Sequence, residues 1–175
     1  MSFIRFGILG CFLCALVLLG CGQSGEVKRE EFTGQAKADM YQSAENLLLF
    51  LPADFDYDSM LLFKDEESNV VGLANKGDRG FIAGNSVNRA RLTTCSVYEV
   101  ISIKGGDITF PNLKCGASAS LDGPELTLRG MDGCDVCGLG ASIEGTYTRF
   151  AEIIFDLSGE QVAVKHVYRI DHTYK

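Results

Sequence analysis

The sequence predicts a small, mainly β domain: an antiparallel β-barrel or curled sheet, preceded by one helix and supported by disulfides. Apolar and polar residues alternate through most of the chain after residue 59, which is typical of half-buried strands. The chain has 20 glycines and three prolines, a composition that favours frequent turns. Four cysteines in the second half of the chain could cross-link such a domain.

The helix is predicted over residues 35–51. Its apolar residues are spaced so that they form one stripe on one helical face. They are Ala36, Met40, Ala44, Leu47, Leu48 and Leu51. Thr33 can cap the start of this helix, and Pro52 stops it. We expect the stripe to pack on the domain core.

The β-rich part is predicted over residues 59–175. Its clearest element is a hairpin over residues 94–114, in which the glycine pair at 105–106 forms a two-residue turn. This turn sets Ile103 opposite Ile108 and leaves one face of the hairpin apolar. The register therefore predicts which face of the hairpin is buried.

A second hairpin is expected from residues 141–157 and 161–174. In its returning strand, Val164, His166 and Tyr168 should share one face, because side chains alternate along a strand. His166 then stands in an apolar row. We interpret it as a core or rim residue, not as a metal ligand or a catalytic base.

The first 20 residues have the layout of a secretory signal peptide. Arg5 precedes an apolar run over residues 6–19. The run is short for a bilayer span, which takes about 20 apolar residues, although an uncleaved membrane anchor remains an alternative. Residues 18–21, Leu-Leu-Gly-Cys, resemble the lipobox of bacterial lipoproteins. The resemblance implies cleavage before Cys21, lipidation of its thiol, and acylation, with palmitate or a similar chain, of the new amino group.

This resemblance sets the expected organisation and location of the protein. Residues 1–20 are a signal peptide, residues 21–34 are the lipidated cysteine and a tether, and residues 35–175 are a single globular domain. Gly22 stands where an Asp often signals retention in the inner membrane. The resemblance therefore favours the periplasmic face of the outer membrane in a Gram-negative cell. In a Gram-positive cell it implies the outer leaflet of the plasma membrane.

Four cysteines remain in the mature chain once Cys21 carries lipid. An even number of cysteines in an exported domain predicts two disulfides, with three possible connectivities. We favour Cys95–Cys115 and Cys134–Cys137, because the first hairpin brings the first two near each other. A zinc site with four cysteine ligands is an alternative, but only one pair has the usual spacing.

The segment Cys134-Asp135-Val136-Cys137 has the spacing of a redox-active pair. Such pairs owe their low thiol pKa largely to a following helix, and glycines flank this one instead. Asp135 would also raise the pKa of a neighbouring thiol by like-charge repulsion. Thiol–disulfide exchange therefore stays an alternative function and not the expected one.

An acidic segment follows the helix. Asp54, Asp56 and Asp58 alternate with Phe55 and Tyr57. Three acids at every second position begin a calcium loop, but the following Gly and the closing Glu are missing, so we expect no metal. We interpret the segment as a candidate binding surface, in which the aromatic residues anchor a partner and the acids attract basic groups.

Charge and motif content narrow the function classes. The formal net charge is −7 and the pI about 4.8, which argues against nucleic acid as a partner. The chain has two histidines and no nucleophile motif, so we expect no catalytic residues, no enzyme activity, and no cofactor apart from the covalent lipid. We expect a membrane-anchored lipoprotein of the bacterial cell envelope that binds or helps assemble an envelope protein or a small ligand. A purely structural envelope role is the remaining alternative.

Overall fold

The computed structural model describes residues 28–88, 91–138, 141–159 and 161–171. The predicted signal peptide, Cys21 and the first part of the tether lie outside these residues. The described elements, in chain order, are β1 (Lys28–Glu31), α1 (Gly34–Leu48), β2 (Ser59–Lys64), β3 (Val70–Lys76), β4 (Arg79–Asn88), β5 (Thr93–Lys104), β6 (Asp107–Thr109), β7 (Ser118–Asp122), β8 (Glu125–Arg129), β9 (Gly145–Asp156) and β10 (Ala163–Asp171).

Strands β2 to β9 form a closed antiparallel barrel of eight strands, which confirms the predicted fold class. The long strand β9 makes the closure. Its first residues, from Gly145 to Thr148, pair with β8, and its later residues pair with β10. The opposite edge of β9 pairs with β2. Strand β10 and the short strand β1 therefore extend the sheet beyond the barrel wall.

The first predicted hairpin has the expected register over a shorter length. Ile103 pairs with Ile108 across the turn, and both turn glycines have positive φ angles. Strand β6 nevertheless ends at Thr109, well before the predicted residue 114. Pro111 follows shortly after and has no N–H to continue a ladder. The outer part of β5 pairs instead with residues near Cys137.

The closing hairpin is confirmed as β9 and β10, but the predicted facing along β10 is wrong. The register shifts between Val164 and His166, so Lys165 is an extra residue in the strand. Such a bulge turns the following side chains to the opposite face. Val164 and Val167 both pack on the outer core, while the rings of His166 and Tyr168 lie 5.7 Å apart.

Two apolar cores lie on the two sides of the barrel wall. One fills the barrel interior, and its fully buried members include Phe63, Val71, Ile82, Val97, Ile101, Leu126 and Leu128. The other lies between α1 and the outer face of the wall, and it includes Ala44, Phe55, Met60, Phe81, Ala151, Ile153 and Phe155. Strand alternation produces both, because each strand sends every second side chain inward.

Helix α1 covers the outer core with most of the stripe that the sequence predicts, although Ala36 in its first turn is exposed. Ala44 is fully buried, and the Tyr41 hydroxyl donates to the Lys165 carbonyl of β10. Thr33 is the N-cap residue, although its side chain makes no capping hydrogen bond. The helix ends at Leu48, three residues before the predicted end, and hydrogen-bonded turns continue to Leu51.

Strand β1 lies in the part of the chain that the sequence assigns to the tether. Lys28 pairs with Asp171 and Glu31 pairs with Tyr168 at the edge of the sheet. All four residues of β1 are charged and exposed, so the strand carries no apolar alternation that could have revealed it. A short charged edge strand also discourages pairing with a second molecule.

Candidate binding groove

A groove of about 1170 Å³ lies on the outside of the barrel. One side is helix α1, which contributes Met40, Ser43 and Leu47. The other side is the turn between β2 and β3, together with the outer part of β4 and residues 142–146. Elements far apart in sequence therefore build the groove, and they meet because the barrel closes and the helix lies across its wall.

The floor of the groove is apolar. Leu62 and Val70 come from the barrel wall, Leu47 comes from the helix, and Phe150 and Tyr98 lie among the other lining residues. Leu62 is almost completely buried. Leu62, Val70 and Tyr98 point outward because the adjacent residues of their strands, Phe63, Val71 and Val97, fill the barrel core.

The apolar surface continues beside the groove. Phe50, just after the end of α1, stacks on Tyr98 with ring centroids 4.6 Å apart. Phe50 is 50% exposed and Val87, which lines the groove, is 48% exposed. An apolar patch that borders a groove is typical of an interaction surface.

The rim of the groove is acidic. Asp65, Glu66 and Glu67 lie in the turn between β2 and β3, and Glu144, just before β9, also lines the groove. No lysine or arginine is among the described residues that line the groove. Lys64 borders it, because its Nζ lies 5.3 Å from the centroid of the Phe150 ring. The charge balance at the groove is therefore negative.

Two of these acids also hold the local backbone. The Asp65 carboxylate accepts hydrogen bonds from the Asn69 backbone at 2.8 Å and from the Asn69 side chain at 2.7 Å. Glu144 accepts the backbone N–H of Asp132 at 2.9 Å. Glu66 and Glu67 are exposed at the tip of the turn. The tip can therefore be altered without removing the hydrogen bonds of Asp65.

The acidic turn acts on the barrel interior as well. Tyr147 is buried, and its hydroxyl donates to the Ile143 carbonyl at 2.8 Å. Burial raises the pKa of this phenol well above its usual range, and the charges of Asp65 and Glu67 raise it further.

The four predicted cysteines form two disulfides, but the favoured pairing is wrong. Cys95 bonds to Cys137 and Cys115 bonds to Cys134. The segment over residues 134–138 lies alongside β5, where Ser96 donates to the Val136 carbonyl. This placement sets Cys137 opposite Cys95, so Cys134 is left to reach Cys115.

The acidic segment after the helix is divided between core and surface. Phe55 and Tyr57 are each 6% exposed and pack in the outer core, so their rings are not available as anchors. Asp54, Asp56 and Asp58 remain exposed, and Asp56 pairs with Lys76 at 2.9 Å. None of these described residues lines the groove. A partner for the exposed acids stays a prediction.

Two further properties concern the described residues only. They contain no group of three histidine, cysteine or acidic side chains that could hold a metal ion. They also contain no helix with the length and apolar content to cross a bilayer. Cys21, the predicted site of lipidation, lies outside the described residues, and its modification stays a prediction.

No local pattern in the sequence predicts the groove. Its acidic turn is visible in the sequence as Asp65-Glu66-Glu67, but such a run is also an ordinary solvated hairpin connection. The floor residues each look like core residues of their own strand or helix. Only the packing of α1 across the wall leaves Leu47, Val70, Tyr98 and Phe150 partly uncovered beside the acids.

No protein-family model, no curated protein and no solved structure matches the chain. A functional proposal therefore rests on the groove, on its charges and on the lipobox-like segment before Cys21.

Proposed function

We propose that the protein is a lipid-anchored lipoprotein of the bacterial cell envelope with a non-catalytic binding role, and that the groove is its binding surface. The groove is the observation that carries the proposal. It joins an apolar floor, an acidic rim and a bordering apolar patch on one side of a rigid barrel. A rigid scaffold with an uneven, partly apolar surface is suited to partner recognition.

The proposed anchor would hold the folded domain close to the membrane. Lys28 begins strand β1 only seven residues after Cys21. Seven extended residues span at most about 25 Å. Because β1 is hydrogen-bonded to β10, this edge of the folded domain would stay within that distance of the lipid. The partner is accordingly expected among envelope proteins that reach the same surface.

The alternative of thiol–disulfide exchange has less support. Cys134 and Cys137 bond to separate partners, Cys115 and Cys95, and not to each other. Exchange enzymes cycle between a dithiol and a disulfide within one Cys-x-x-Cys pair. The two disulfides are cross-links that hold the loop over residues 130–138 on the barrel.

A photo-crosslinking residue in the full chain tests the binding surface in intact cells. We expect the residue at Ser43, inside the groove, to give a discrete adduct, and the residue at exposed Ser118, outside it, to give none. Adding Val87→Asp should abolish the Ser43 adduct, while Leu92→Asp on the same hairpin should not. Identical adducts from both sites, or none from Ser43, would refute the groove.

The anchor is tested separately with Cys21→Ser. We expect this variant to lose both palmitate labelling and membrane fractionation. A variant that stays labelled and membrane-bound would contradict the lipoprotein assignment, whatever the groove binds.

A further inference from the structure

We propose that the groove receives a basic amphipathic helix of a partner protein. The proposal rests on the groove being the binding surface and adds the chemistry and shape of its occupant. Three features carry it: the pairing of the strands that line the groove, the size of the groove, and the arrangement of apolar and acidic side chains.

The strands at the groove offer only a short free edge to a partner. Strand β2 pairs with β3 and β9, and β3 pairs with β2 and β4. Strand β4 pairs with β5 over its whole length but with β3 only from Arg79 to Asn85, and beyond that point the Val87 N–H donates to the Asn69 side chain. An extended peptide binds by adding a strand to an unpaired edge, and three residues of edge give such a strand little to pair with. Recognition through side chains is therefore favoured, as it occurs when a helix lies in a groove.

The size of the groove fits a helix segment. Pockets that enclose small molecules measure about 300–1000 Å³, and this groove exceeds them at about 1170 Å³. Two turns of a helix, about 11 Å long and 10–12 Å wide, occupy about 1000 Å³. The groove is thus large enough for two turns with their side chains.

The floor and the rim match the two faces of such a helix. An apolar stripe at helical spacing would cover Leu47, Val70 and Phe150, which are partly exposed on the floor. Lysine or arginine side chains flanking the stripe would meet Glu66, Glu67 and Glu144 on the rim. An acidic helix would bring like charges to the same rim, which disfavours binding. Lys64, whose ammonium lies over the Phe150 ring, is a single positive charge and offsets only part of the negative charge of the rim acids.

Synthetic peptides test the proposal against the full chain in zwitterionic detergent. The probe is a helix of about 15 residues with a leucine stripe and lysines beside it, because shorter isolated helices are marginal. Two controls replace every lysine with glutamate, or keep the composition and scramble the stripe. We expect the lysine helix to bind at least about tenfold more tightly than either control, and more weakly as salt increases.

Charge variants locate the binding site. Glu66→Gln combined with Glu67→Gln should weaken binding of the lysine helix about three- to tenfold and reduce its salt dependence. Asp65 is left intact because it holds the turn. Asp122→Asn with Glu125→Gln is the matched control, since it removes two exposed acids from another β-turn. We expect that control to bind the helix as the wild type does.

An apolar pair tests the apolar lining of the groove in the same way. Val87→Asn should weaken binding of the lysine helix, whereas Leu92→Asn, an exposed apolar residue outside the groove, should not. Equal binding of the lysine and glutamate helices, or equal effects of the two variants in each pair, would overturn the proposal. If the peptide test fails while the cross-linking residue at Ser43 still gives its adduct in cells, the groove is a binding surface but its occupant is not a basic helix. If Ser43 gives no adduct either, the groove is not the binding surface.

Discussion

Arg29 and Glu152 form an ion pair that joins strand β1 to strand β9, across the intervening strand β10. The Arg29 Nε donates to Glu152 Oε2 at 2.7 Å, and Nη2 donates to Oε1 at 3.3 Å. The Glu152 side chain is 7% exposed, while that of Arg29 is 58% exposed. The two partners therefore differ in burial. The Glu152 carboxylate is removed from water, whereas the Arg29 guanidinium stays partly solvated.

Arg29→Ala should destabilise the fold by about 1–3 kcal/mol. The substitution leaves the Glu152 carboxylate buried without its partner, and the cost stays below that of a fully buried pair because Arg29 is itself partly solvated. Urea unfolding of the full chain measures the change. Lys28→Ala removes an ion pair on the same strand that is exposed on both sides, and it should have little effect.

A second substitution checks the cause of that loss. Glu152→Gln in the Arg29→Ala background removes the unpaired charge, so we expect it to recover part of the lost stability. If Arg29→Ala has no effect, or if Glu152→Gln destabilises the single variant further, the ion pair does not hold β1 to the barrel.

The elements that the sequence predicts correctly are those set by local patterns. The alternation after residue 59 produces the barrel strands, and the glycine pair at 105–106 fixes the register of Ile103 against Ile108. The apolar stripe predicts helix α1 and the face that it buries. Each of these follows from side-chain spacing and turn chemistry within a few residues.

The features that the sequence does not predict depend on contacts between distant segments. The disulfide connectivity follows from the placement of residues 134–138 beside β5, which no local pattern indicates. Strand β1 pairs through its backbone with β10, far away in the sequence. The groove arises where α1, the turn after β2 and strand β4 meet. Closure of the barrel brings all of these together.

Disulfide mapping should find Cys95 bonded to Cys137 and Cys115 bonded to Cys134. Trypsin cuts after Lys104 and Lys114 and so separates Cys95 from Cys115. A protease that cuts before Asp135 separates the other two cysteines. Mass spectrometry without reductant should then show two linked peptide pairs, each of which contains one of these bonds. A peptide that links Cys95 to Cys115 would contradict the structure, and so would alkylated free thiols.

Gly80→Ala should destabilise the barrel by about 1–3 kcal/mol, because the wall has no space for the added methyl group. A Cβ at this position would lie 2.7 Å from the Ala74 carbonyl oxygen and 3.0 Å from the Ile101 side chain. The carbonyl is part of the backbone and cannot move aside as a side chain would. Thermal unfolding measures the loss.

Gly133→Ala is the matched control for that substitution. The nearest atom to a Cβ at Gly133 is 3.8 Å away, so we expect almost no change in stability. Equal stability of the Gly80 variant and the wild type would mean that strands β3 and β4 pack less closely than the structure has them.

Tyr147→Phe should change the way in which stability depends on alkaline pH. Burial, with a smaller contribution from Asp65 and Glu67, raises the pKa of Tyr147 in the folded state well above the value near 10 of an exposed phenol. As pH rises above about 10, the unfolded chain loses this proton while the folded chain keeps it. The stabilising effect of the raised pKa is therefore complete below pH 10 and is lost as pH increases from there.

The comparison between wild type and variant isolates this effect. At neutral pH, Tyr147→Phe should cost about 1 kcal/mol, because the Ile143 carbonyl loses its donor in a buried place. Above pH 10 the wild type should lose about 1.4 kcal/mol per pH unit through Tyr147, and the variant should lose none through that position. Burial also raises the pKa of Tyr57 and Tyr98, but both proteins share that contribution. Urea unfolding at several pH values should therefore show the difference shrinking and then changing sign, and a constant difference would place Tyr147 in contact with water.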